Sequence, residues 1–192
     1  METRAPTPPH PALVYSPMAR AFHWITVAVI AVQLPVGLYM VWRGNNVAFD
    51  ATTNWLYNAH KLVGFLILWL IAARLLYRLV HGAPADEPTL EWWQKAAAHA
   101  THWGLYVLLM VLPILGWVGV SYYGARGTFG GFSLPALVGE DKAAAETILA
   151  LHKWAAYVLI AMLGAHIAAA IYHHAIRGDG VLRRMLPGLR QR

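Results

Sequence analysis

The sequence predicts an all-α integral membrane protein built as a four-helix transmembrane bundle. Three observations lead there. Of the 192 residues, 58% are hydrophobic and only 12% charged, about half the charged fraction of an ordinary soluble domain. The apolar residues gather into four stretches, each long enough for a bilayer crossing of about 20 residues at 1.5 Å of rise. The charges fall mostly between those stretches. A formal charge of +6 therefore makes no basic face on a polar fold, and no nucleic-acid partner is expected. The absence of cysteine excludes disulfides, thiolate-bound zinc, iron–sulfur clusters and thioether-linked haem.

Residues 1–15 carry four prolines and read as a flexible N-terminal tail. Ser16-Pro17 offers an N-cap followed by proline at the first helical position, so the first helix starts there. Its span, Phe22 to Val41, lacks a small-residue cleavage site at its flanks and is read as retained rather than as a signal peptide. A Gly/Asn-rich loop, Gly44 to Asn54, leads to the second span, Leu62 to Val80, with Arg74 and Arg78 near its end. The loop His81 to Leu90 lies on the other side of the membrane. The third span is Trp103 to Tyr123, the next loop Gly124 to Gly139 and the fourth span Leu151 to Ile171. Residues 16–176 then form one domain, and 177–192 a basic C-terminal tail. Pro35 and Pro113, inside the first and third spans, are expected to kink their helices without breaking them.

Lysine and arginine set the direction. Ten, including Arg4, Arg20, Arg74, Arg78, Lys95, Arg177, Arg190 and Arg192, fall on the side of the termini, against five (Arg43, Lys61, Arg126, Lys142 and Lys153) on the other. Both termini should face the cytoplasm. Tryptophans at the span ends, Trp42, Trp55 and Trp154 outside and Trp24, Trp92, Trp93 and Trp103 inside, fit interfacial belts.

Ten histidines among so few charges are the chemical signal, because ionisable groups within a bilayer are costly and mark function. His152 and His166 are 14 residues apart, which leaves them about 40° from alignment and about 21 Å apart along one helix. His23 enters the first helix at about the depth of His166, roughly 10 Å from the cytoplasmic end. His60 starts the second helix at the depth of His152. Two His–His pairs result, one in each leaflet. Two imidazoles on opposite sides of a flat ring satisfy the axial positions of a haem iron, whereas tetrahedral zinc wants about four ligands at one point. Two b-type haems are therefore expected. Arg74, 14 residues after His60, falls on the same face at the inner depth and needs an anionic partner, for which a haem propionate serves. Gly64 leaves room for a porphyrin edge or for close helix packing. His10 and His81 read as solvated, and His99 and His102 as either interfacial packing or a site. A haem-free scaffold or transporter, with histidines as interhelical hydrogen bonds or proton relays, is the reading from another class; inverted repeats and broken helices are not evident.

The pieces RAFHW at 20–24, AHKLVG at 59–64, RLLYRL at 74–79, AHATHWGLYVLL at 98–109, LHKWAAYVL at 151–159 and HIAAAIYHH at 166–174 together resemble the bacterial cytochrome b561 family. The resemblance covers all four helices. It implies a four-helix inner-membrane cytochrome with two haem b groups, His23 and His166 on the inner one and His60 and His152 on the outer one. It further implies an oxidoreductase that oxidises periplasmic superoxide to O2 and reduces ubiquinone, the membrane quinone. Lys61 and Lys153 adjoin the outer ligands and are candidates for steering the anion, or they simply snorkel to the interface. His173 and His174 match the family motif and are candidates for the quinone. The related alternative keeps the haem but takes electrons from a partner dehydrogenase, hydrogenase or c-type cytochrome.

Overall fold

The computed structural model describes residues 14–188; most of the expected N-terminal tail, with Arg4 and His10, and the last four residues, with Arg190 and Arg192, lie outside that range. Four long helices follow one another: α1 (Pro17–Asn46), α2 (Ala51–His81), α3 (Trp92–Tyr123) and α4 (Lys142–Tyr172). The only extended pairing among the described residues is an isolated antiparallel bridge, Gly127 with Ser133. At 30–32 residues each, the helices run well past the roughly 30 Å hydrocarbon thickness. Each expected span sits inside one of them, with extra turns added at both ends in α1 and at the N-terminal end in α2, α3 and α4.

Capping chemistry defines the starts. Ser16 accepts the Ala19 N–H at 3.2 Å, with Pro17 in the first turn as expected. Asp50 accepts the Thr53 N–H at 2.9 Å and also holds Arg43 at 2.6 Å, pinching the α1–α2 turn to four residues. The Thr53 N–H first, and the Arg43 guanidinium after it, hold the Asp50 carboxyl below the usual carboxylate range. Asp141 caps α4 through the Ala144 N–H. Gly124 ends α3 at φ +76°, a left-handed position that glycine occupies without strain. Both α1 and α3 continue through their internal prolines, Pro35 and Pro113.

The bundle is apolar inside and out. Ile30, Ile67, Ile71, Leu105, Leu109, Leu112 and Leu159 form the buried core. Ile25, Val32, Leu66, Leu76, Val107 and Ile167 point outward, a surface suited to lipid and unsuited to water. Close backbone packing runs α1 to α2, α2 to α3 and α3 to α4. Neither α1 with α4 nor α2 with α4 packs as closely.

Both ends of the described residues lie at one end of the bundle, called here the terminal end. After α4 a π-helical turn (His173–Arg177) and a short 3-10 turn (Leu182–Arg184) bring the chain back across the start of α1. There Tyr15 donates its N–H to the Arg184 carbonyl at 3.2 Å, and the Trp24 indole donates to Met185 at 3.2 Å. The segment expected as a tail is thus hydrogen-bonded to the bundle as far as Met185. The α3–α4 connection at the far end folds into a small hairpin. Its Pro135 carbonyl accepts the Trp117 indole N–H at 2.8 Å, and its Leu134 is 2% exposed.

Candidate functional site

Two pairs of imidazoles face each other, one between α1 and α4 and one between α2 and α4. His23 and His166 have ring centroids 6.4 Å apart, and His60 and His152 6.2 Å apart. Helix α4 contributes one histidine to each pair, because a 14-residue separation returns nearly to the same face. An iron held by two imidazole nitrogens at roughly 2 Å each sets the ring centroids roughly 6 Å apart, so both pairs have a spacing that fits axial ligation of one iron. Each pair also joins helices that are not among the closely packed ones, α1 with α4 and α2 with α4. Among the described residues no cluster of three or more His, Asp or Glu side chains is arranged for a bare metal ion.

The far-end pair is seated mainly by shape. His152 Nδ1 lies 2.9 Å from the Leu112 carbonyl, which makes Nδ1 the protonated nitrogen and leaves Nε2 with a lone pair that could serve as a ligand. Gly116, one turn along α3, permits that approach: a Cβ there would stand 3.3 Å from His152 Cε1 and 3.4 Å from Nδ1. Gly37 of α1 lies against the other ring, where a Cβ would come within 2.8 Å of His60 Cε1. Buried Gln33 donates to the His60 carbonyl at 2.9 Å, tying the backbone of α2 to α1 at that residue. Gly64, read from the sequence as room for a porphyrin edge or for close helix packing, lies against the Gln33 amide of α1, as the packing reading expects. No signal within one helix identifies Gly37, because its contact crosses between helices.

The terminal-end pair sits among charges and aromatic rings. Arg74 reaches His23 Nδ1 at 3.0 Å and lies over the Tyr106 ring at 5.2 Å. Arg78 lies over Trp103 at 5.8 Å. The His102 ring is 5.5 Å from that of His166, so this histidine joins the terminal-end group, whereas His99 points to Asp86 at 3.2 Å. Arg74 and Arg78 also line a cavity with Tyr15, Phe22, Tyr106 and Met185, closed on one side by the returning C-terminal segment.

The remaining candidates fall at the two ends. At the far end, Lys61 donates to the Ala125 carbonyl at 3.0 Å and also to that of Gly127, so its ammonium fastens the hairpin over the site. Lys153 is exposed, with its Nζ 5.4 Å from the Trp154 ring centroid. At the terminal end, His173 Nδ1 is 2.6 Å from Asp179 Oδ2. His174 is its half-buried neighbour on the π-helical turn. His81 stacks on Tyr77 at 4.0 Å, at the exposed end of α2.

Comparison with known proteins adds the family. The family described as prokaryotic cytochrome b561 matches residues 14–188. Cytochrome b561 homolog 2 of Escherichia coli (strain K12) is 30% identical over 176 residues, covering 90% of each chain. Cytochrome b561 homolog 1 of the same organism is 29% identical over 165 residues, 86% of this chain and 92% of that one. A protein of Yersinia pestis named probable superoxide oxidase CybB is 26% identical over 176 residues, 90% of this chain and 96% of its own length.

Proposed function

Because this chain belongs to the prokaryotic cytochrome b561 family, whose membrane electron transfer rests on haem b, we propose that it oxidises superoxide to O2 at the periplasmic face and reduces ubiquinone at the opposite end. The observation that carries this reading is the pair of imidazole gates at two depths, 6.4 and 6.2 Å between rings. His23 and His166 hold one haem b, and His60 and His152 hold the second. Bound haem b supplies a reversible one-electron store, so two of them join a one-electron donor to a two-electron acceptor. Two superoxide ions give two O2 and two electrons, and the quinone takes both electrons with two protons to become the quinol.

The chain's own residues supply position and charge. The Leu112 carbonyl orients His152. Arg74, deep at the terminal end and beside His23, offers a guanidinium to a haem propionate. Lys153 presents an exposed cation next to His152, and Lys61 adds a second positive charge at the same mouth, which favours the approach of a small anion. His173 and His174 serve the quinone carbonyl at the terminal end, which the excess of arginine there assigns to the cytoplasm. The choice of superoxide as donor is supported by the relative that carries that name.

The test is a reduced-minus-oxidised spectrum with haem quantitation, followed by stopped-flow superoxide decay with ubiquinone-1 present. Two haems per chain, a b-type band and quinone-dependent superoxide loss are expected. Absence of a b-type band would remove the redox reading altogether. A haem-loaded protein that leaves superoxide at its uncatalysed decay rate would remove the donor and point to a redox partner protein.

A further inference from the structure

The end of α4 departs from regular helix where the HH pair lies. His173–Arg177 form a π-helical turn, a geometry that recurs at functional sites. Gly178, at φ +64°, then reverses the chain so that the Asp179 N–H donates to the His173 carbonyl at 3.2 Å. The reversal brings a carboxylate beneath the ring. Asp179 Oδ2 is 2.6 Å from His173 Nδ1, with the Asp179 side chain only 5% exposed and the His173 side chain 13%. Its other oxygen accepts the Val181 N–H at 3.1 Å. Arg177 Nε lies 3.5 Å from Oδ2, and the same guanidinium reaches the Thr89 carbonyl at 3.1 Å and Gln94 Oε1 at 3.4 Å. Glu87, from the α2–α3 loop, is the further carboxylate at this turn, against Gly180.

The Asx turn to Val181 would be complete without the imidazole. The short contact to His173 is an additional feature, and it leaves one ring nitrogen, Nε2, outside the pair. We propose that Asp179 is a positioning residue for quinone reduction: it accepts the Nδ1–H of His173 and fixes the ring so that Nε2–H is presented to the quinone oxygen. The inference rests on the placement of the quinone at His173 made above. His173 follows His166 by seven residues, about 10 Å along the helix. An imidazolium paired with a carboxylate carries a proton on each nitrogen, and the carboxylate stabilises it without taking its proton. As the quinone oxygen gains an electron, the Nε2–H bond breaks and an O–H bond forms. His173 is left neutral, still donating Nδ1–H to Asp179, and regains a proton at Nε2 from water at the terminal end. Two such passes supply the two protons of the quinol, matching the two electrons from two superoxide ions.

The experiment uses the full-length, haem-loaded protein, reduced with dithionite and mixed with ubiquinone-1, so that it does not depend on the superoxide donor. Asp179→Asn should slow the maximal rate of haem reoxidation about tenfold or more, with the ubiquinone-1 concentration at half-maximal rate within about twofold of wild type and haem content unchanged. Asp179→Glu should restore most of the rate. His173→Gln should lose at least as much, and the double variant should be no slower than His173→Gln alone. A wild-type rate in Asp179→Asn overturns the proposal. So do multiplicative losses in the double variant, or loss of haem from Asp179→Asn, which would make the carboxylate a purely structural tie. If wild-type protein is not reoxidised by ubiquinone-1 at all, the quinone assignment fails first and takes this inference with it. Failure of superoxide oxidation alone leaves the test intact.

Discussion

The two histidine pairs use the same chemical groups at nearly the same spacing, but their surroundings are built differently. At the far end, His60 and His152 rest against Gly37 and Gly116, with the Leu112 carbonyl as the polar contact of the His152 ring and the His60 Nδ1 buried without a hydrogen-bond partner among the described residues. At the terminal end, His23 and His166 sit with Arg74, His102, Tyr106 and, close by, Arg78. One site is shaped by missing side chains and the other by present charges. The contrast shows that two imidazole pairs of nearly equal spacing can be held in place by different means. An uncharged cradle resists changes in volume, whereas a cationic one resists changes in charge and suits an end where anionic propionates and proton exchange are expected.

The sharpest way to break the comparison is to remove a ligand from each site. His152→Ala should eliminate the far-end haem and keep the other, so that pyridine haemochrome analysis reads half the wild-type haem. His166→Ala should do the reverse. Equal loss of both haems in either variant would mean that the sites are not independent.

Volume comes next. Gly37→Val should displace His60, because even a Cβ would come within 2.8 Å of its ring, and far-end haem occupancy should fall severalfold while the terminal-end haem is untouched. Gly116→Ala should act in the same direction more weakly, since its contact is 3.3 Å. Charge is the corresponding probe of the terminal end. Arg74→Gln should retain haem but lower the potential of that haem by roughly 50 mV, about a tenfold change in a one-electron equilibrium. A redox titration that shows the far-end potential moving instead would reverse the two assignments.

Smaller effects are expected at the rim. Lys153→Glu should slow superoxide consumption a fewfold and flatten its dependence on salt, with haem content unchanged. Asp50→Asn should cost least. The carboxyl is held below its ordinary pKa in the folded chain, so its stabilisation is present above the usual carboxylate range and fades as pH falls through the lowered value. A slightly reduced Tm near neutral pH, converging with wild type in acid, is the expected thermal-melt result.

Much of this was legible in the sequence because membranes impose strong rules. Four apolar runs of sufficient length could become little else than spanning helices, and Ser16-Pro17 announced the start of α1. The histidine pairing was readable because helical periodicity converts a 14-residue spacing into a shared face and a known depth. Side-chain partners were not readable in that way. Gly37 meets His60 only through the α1–α2 crossing, Lys61 finds its carbonyls in a hairpin 64 residues away, and His102 reaches His166 only once α3 lies on α4. Asp179 escaped notice because a π-helical turn and a left-handed glycine, neither with a strong local signature, carry it back to His173.

Helix α4 supplies half of each pair and is the last of the four to leave the ribosome. A nascent chain that ends before it lacks one member of each facing pair, so on the proposed ligation haem uptake should follow translation of the final helix. Prematurely terminated products should be colourless, and the red colour of the membrane fraction then reports chains that were made to completion.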